Sequence, residues 1–98
     1  MANTFNLGSV VISTAGRDSG KSFVVVSVLD DSYVYIADGS LRRLAKPKKK
    51  KIKHITLTAH MLDGIGEKLK EGKKVFDAEI RSALINIKDA GSVKQEEE

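Results

Sequence analysis

The 98-residue chain has no cysteine, no tryptophan and a single proline. None of its apolar runs approaches the roughly 18 residues that a membrane span needs. Without cysteine there can be no disulfide framework, no thiolate nucleophile and no cysteine-ligated zinc site. The opening Met1-Ala-Asn-Thr-Phe has neither the basic start nor the apolar stretch of a secretion signal. Hydrophobic residues make up 41% and charged residues 31%, an ordinary globular balance in a chain of one-domain size. The expectation is a cytoplasmic protein with no membrane contact.

A second absence is more informative. No Asp or Glu occurs between Gly39 and Leu62. Within that window, segment 42–53 holds eight basic residues: Arg42, Arg43, Lys46, Lys48, Lys49, Lys50, Lys51 and Lys53. The net charge of +4 comes entirely from this segment, because the other nine Lys and Arg face 13 acids. A localised cationic strip is the footprint of a polyanionic partner, since such a run repels itself until phosphates neutralise it. The alternative use of lysines is to shield an edge strand from pairing.

The rest of the pattern is mostly β. Leu7–Ser13 reads as a first strand and Phe23–Leu29 as a second, covered on both faces. Tyr33–Ala37 forms a third strand after the Asp30-Asp31-Ser32 turn, and Asp38-Gly39 signals a hairpin leading to a fourth at Leu41–Leu44. Pro47 marks an edge or loop, and Ile52–Leu57 makes the last strand. Five short strands with tight turns within residues 1–57 predict a small barrel. After that the period changes. Thr58 is a candidate N-cap for a weak helix through Met61, Ile65 and Leu69. Asp77 starts a better one, with Ile80, Ala83, Leu84 and Ile87 on one stripe and Gly91 past its end. Residues 58–90 thus form a helical extension, and 91–98, with its acidic end, a frayed tail.

Candidate chemistries narrow quickly. Gly16-Arg-Asp-Ser-Gly20-Lys21-Ser22 looks like a phosphate loop, but Ala15 stands where the first glycine is required and a strand follows instead of a helix. The glycines suit turn positions, displaying Arg17 and Lys21 at a loop tip where backbone amides can also meet an anion. His54 and His60 are too few to hold a metal, and His54, adjoining the basic run, suits an anion contact. Asp18, Asp30, Asp31, Asp38 and Asp63 fall in predicted turns, so no converging acid–base pair or nucleophile setting emerges and an enzyme is not expected. Tyr33 and Tyr35 share one strand face, either under the C-terminal helix or open to stack on bases.

Leu7-Gly8-Ser-Val-Val-Ile-Ser, Gly16-Arg-Asp-Ser-Gly-Lys21 and Phe23-Val-Val-Val closely resemble the KOW motif, a strand–loop–strand unit of SH3-like barrels. With Ala37-Asp-Gly39, Arg42-Arg43, Pro47-Lys-Lys and Lys53-His54-Ile55, residues 5–57 resemble small bacterial KOW-class RNA-binding proteins. Those are similar in turn to the fourteen-e family of large-subunit ribosomal proteins. The resemblance implies a five-stranded SH3-like barrel that binds RNA, above all ribosomal RNA, with ribosomal proteins as candidate neighbours. It stops before Thr58, and the short C-terminal helices and the non-enzymatic, cofactor-free character rest on the residue pattern above. The contacts it implies are Gly16, Arg17, Gly20 and Lys21 in the loop, to which the charge pattern adds His54 and the eight cations of segment 42–53. KOW barrels of transcription elongation factors also contact proteins. The second reading is therefore a protein-docking module using the Ile80, Leu84 and Ile87 stripe.

Overall fold

The computed structural model describes residues 5–97, with side chains through residue 87. Five strands, β1 (Ser9–Ser13), β2 (Ser22–Val28), β3 (Tyr33–Ala37), β4 (Lys48–Lys51) and β5 (Ile55–Met61), form one antiparallel sheet in the order β4-β3-β2-β1-β5. Although β4 and β5 are the outer strands, only a 3-10 turn, Ile52–His54, separates them along the chain. The sheet therefore curls until its two ends meet at that corner, giving the barrel-like form expected of the mostly β fold. Val11, Phe23, Val25, Val34, Ile36 and Ile55 fill its interior. Cross-strand partners such as Val11↔Phe23 and Val25↔Ile36 set the register that keeps them inside.

The run Phe23-Val24-Val25 is buried on both faces for a visible reason. Phe23 and Val25 enter the barrel, whereas Val24 points outward into a second cluster with Ile65 and Ile80. Those two residues come from helices α1 (Asp63–Lys70) and α2 (Asp77–Glu97), which pack on the outside of β2. Leu84 and Ala83 join the same cluster and Ile87 is half-buried, so the stripe that the second reading gave to a protein partner packs within the fold.

Several expected boundaries move. Leu41–Leu44 is not a strand. Asp38 Oδ1 accepts the Ser40 and Arg42 amides at 2.9 Å each, and the Arg42 carbonyl accepts the Asp38 and Gly39 amides, so this backbone is committed to a local turn. The fourth strand is the lysine run itself. The first strand begins at Ser9 instead of Leu7 and the second spans Ser22–Val28. The last begins at Ile55, after the 3-10 turn, and extends to Met61. Thr58 therefore lies in β5, where its hydroxyl donates to the Val10 carbonyl at 2.7 Å, and caps no helix. Asp63 is the first residue of α1 instead of a turn residue. α2 runs through Gly91 and takes in the expected tail as far as Glu97; Glu98 is outside the described residues.

Close approach dictates glycine at two contacts. A Cβ on Gly66 of α1 would lie 2.5 Å from the Leu7 carbonyl oxygen, so the helix sits directly on the chain entering β1. Gly39, with φ of 79°, leaves no room for a Cβ against the first turn of α2, and Arg81 donates to the Gly39 carbonyl at 2.6 Å. Gly64, also in α1, has nothing within 4 Å of the corresponding position. Gly64→Ala should therefore stabilise the protein by about 0.5–1 kcal/mol through helix propensity. Gly66→Ala should destabilise it by more than about 1 kcal/mol, because backbone must move. Urea denaturation of the two variants reads the opposite signs directly.

At the start of α2, Glu79 reaches back to the Phe76 amide at 3.1 Å and accepts from Lys68 of α1 at 2.8 Å. The Lys68 hydrogen bond, followed by the Phe76 amide, holds the Glu79 carboxyl below the usual glutamate range. A lowered folded-state value means that this contribution is complete above the ordinary range and is lost as pH falls through the folded value. Glu79→Gln should accordingly flatten the fall in stability below about pH 4.5, measured by thermal melts across pH.

Candidate nucleic-acid interface

The loop joining β1 to β2 is closed at its base by Ser13 and Lys21 pairing, with Ser13 N–H donating to Lys21 O at 3.0 Å and Gly20 N–H to Ser13 O at 2.7 Å. Gly16 and Gly20 take φ of 79° and 86°, the left-handed turn geometry read from the sequence. Strand β2 follows directly, as the rejection of a phosphate loop requires. Arg17 is exposed at the tip, whereas Gly20 and Lys21, also exposed, lie at the base beside the start of β2, so Lys21 is not displayed at the tip as the sequence suggested.

Two of the eight cations hold this loop. Asp18 is only 5% exposed, and its Oδ2 accepts from Arg42 Nε at 3.2 Å and Nη2 at 3.1 Å. Lys50 is 9% exposed, and its ammonium donates to the Ala15 carbonyl at 3.0 Å. The register explains the latter: Lys50 pairs with Val34, whose side chain enters the barrel, so Lys50 points inward as well. Lys49 and Lys51 pair with Tyr35 and Tyr33 on the outer face. There Lys49 Nζ lies 4.6 Å and Lys51 Nζ 6.0 Å from the Tyr33 ring centroid. Tyr33 is thus covered by its neighbouring lysines, a cation–π arrangement absent from both readings of the tyrosines.

The remaining basic residues divide between two places. Arg43, Lys46, Lys48 and Lys49 surround a groove of about 480 Å³, with Leu41 and Pro47 as apolar walls and Arg42 on its border. No carboxylate lines it. Lys51 and Lys53 instead border a smaller depression of about 260 Å³ that includes Asp31. His54 is half-buried in the 3-10 turn, and its carbonyl accepts the Thr14 amide at 2.8 Å, tying this corner to the start of the glycine loop. The structure therefore brings the loop and the basic segment side by side but does not merge all thirteen candidate residues into one surface. What it builds is an open, acid-free cationic groove next to a rigid loop tip, a geometry suited to phosphates. Asp18, read from the sequence as a turn residue, is the contact that aligns the two, and no local sequence pattern announces its pairing with Arg42.

No family model matches the chain. It is 39% identical over 57 residues to the large ribosomal subunit protein eL14 of Methanococcus maripaludis, covering 58% of this chain and 68% of that protein. With the protein of the same name from Desulfurococcus amylolyticus it shares 31% identity over 52 residues, 53% of this chain and 54% of the relative. The match to its counterpart in Pyrobaculum calidifontis is 29% over 84 residues, 86% of this chain and 75% of the relative. Against the Desulfurococcus protein the chain thus spans little more than half the relative's length.

Removing the Asp18 carboxylate would strand the Arg42 guanidinium and free the loop. Asp18→Ala should lower stability by about 1–3 kcal/mol, the cost of leaving a half-buried charged donor without its acceptor. Asp31→Ala, at an exposed turn, should stay within about 0.5 kcal/mol of the parent in the same urea titration.

Proposed function

The chain belongs to the eL14 family of large ribosomal subunit proteins, and we propose that it binds ribosomal RNA and associates with the large subunit through the groove beside the glycine loop. The observation that carries this reading is the acid-free groove formed by Arg43, Lys46, Lys48 and Lys49. Neutralising phosphates there releases their condensed counterions, which supplies most of the affinity. Arg17 and Lys21, exposed on a loop that Arg42 and Lys50 hold still, add contacts in a fixed direction and so set orientation. Arg17 can fork across one phosphate, because a guanidinium offers paired donors. Lys53 and His54 extend the contact around the corner. Arg42 and Lys50 take part indirectly, since their polar ends are engaged with the loop. The role is one of binding, with no chemical step, and neighbouring ribosomal proteins in the cytoplasm are its further partners.

With about five phosphates contacted, affinity for a ribosomal RNA fragment should fall with salt at a log–log slope of −3.5 or steeper. A shallow slope in filter binding would overturn the mechanism. Reversing Arg43, Lys46, Lys48 and Lys49 to Glu should abolish binding and detach the protein from sedimenting large subunits. Lys50 is spared in that variant, because a carboxylate there would face the Ala15 carbonyl and test folding instead of binding.

A further inference from the structure

The linker between α1 and α2 displays the one aromatic ring among the described residues that is mostly in solvent. Phe76 is 57% exposed, whereas Phe23 is fully buried and Phe5, Tyr33 and Tyr35 are partly covered. Its backbone opens α2. The Phe76 amide donates to Glu79 Oε2 at 3.1 Å, and its carbonyl accepts the Glu79 and Ile80 amides that open α2. The ring instead faces a depression of about 480 Å³ shared with Leu44, Ala45, Lys73, Lys74 and Asp77. Lys74 Nζ stands 5.5 Å from the ring centroid. Lys73 is paired only with Glu71 at 3.0 Å, and both side chains are more than half exposed, so that pair is weak.

This depression is the other flank of the cationic loop. Arg42, Arg43 and Lys46 line the groove, and Leu44 and Ala45, between them in the chain, wall the depression. The Leu44 amide donates to Asp77 Oδ1 at 2.8 Å, which fixes the loop against the start of α2 and sets the spacing of the two hollows. An RNA strand whose phosphates occupy the groove therefore meets an exposed aromatic face, with a cation beside it, across the same loop. Asp77 on the same wall repels a phosphate but not a base. Lys74 can take the phosphate and the ring the base. Stacking on an aromatic ring requires a base free of its own stack.

We propose that Phe76, with Lys74, is a second RNA contact that stacks on an unpaired base of the RNA whose phosphates fill the basic groove. The proposal rests on the RNA-binding reading above and adds that the target presents an unpaired nucleotide. The full chain would be titrated with a fully paired RNA hairpin and with the same hairpin carrying one unpaired 2-aminopurine. The parent should favour the bulged hairpin and quench the 2-aminopurine. Phe76→Ala should weaken binding of the bulged hairpin by about 5- to 100-fold and abolish the quench, leaving the paired hairpin within about 2-fold. Phe76→Tyr, which keeps a stacking face, should stay close to the parent on both. Equal affinities and unchanged quenching for Phe76→Ala would overturn the proposal and leave the ring to a protein contact, while salt-sensitive binding through the groove stood. If the parent bound neither hairpin, both readings would fall together.

Discussion

Eight cations in a twelve-residue segment repel one another, and what gives the segment a shape is a set of carboxylates supplied from outside it. Asp18 comes from the glycine loop and takes the Arg42 guanidinium; Asp38 precedes the segment and takes the Ser40 and Arg42 amides; Asp77 comes from α2 and takes the Leu44 amide. Each contact reaches from a different part of the fold, so the cationic loop is pinned from the barrel mouth, from its own entry and from the helical layer. Of the three, the Asp18–Arg42 pair matters most. A carboxylate with so little solvent access is tolerated only with a well-placed partner, and a guanidinium that satisfies it cannot wander. The glycine loop and the cationic groove are therefore positioned by one interaction, and their mutual orientation is fixed before any ligand arrives.

The same economy governs β4. Four consecutive lysines make a poor strand by propensity, yet alternation sorts them to different uses. Lys50 turns inward and closes on Ala15, Lys49 and Lys51 lie against Tyr33, and Lys48 lines the groove together with Lys49. The strand sits at the edge of the sheet, where lysines also discourage pairing with another chain. The two uses of a lysine run, edge protection and polyanion binding, are thus compatible here, because a strand's two faces and its edge are separate surfaces.

Four of the five strands and the core were legible because apolar alternation and β-branched runs report burial directly: β3 was found to the residue, and Val34 and Ile36 point inward as the period requires. The fourth strand was not legible. A hairpin signal at Asp38-Gly39 promised pairing at Leu41–Leu44, but the Asp38 side chain consumes the amides that a ladder would need, and the lysine run carries no apolar pattern to announce a strand. The start of α1 was misplaced for a related reason: Thr58 looks like a cap in sequence, but its hydroxyl is drawn to the Val10 carbonyl across the sheet. For the candidate interface, charge density located the segment, whereas the division of labour within it depends on strand register and on a contact 24 residues away in sequence. No local pattern encodes either.

The helical layer completes this argument. Its burial of Ile65 and Ile80 against Val24 explains why β2 must be apolar on both faces, and it also carries Asp77 to the back of the cationic loop. The absence of a Cβ at Gly66 and Gly39 lets the two helices approach close enough for that to happen. The extension is therefore part of the support for the groove as well as a cover for the sheet. A barrel stripped of α2 would retain its cations but lose the Leu44 anchor, and the loop would be held from the Asp18 and Asp38 sides alone. Charge would survive such a loss; the orientation of the groove, which separates a directed interface from a generic polycation, would be weakened.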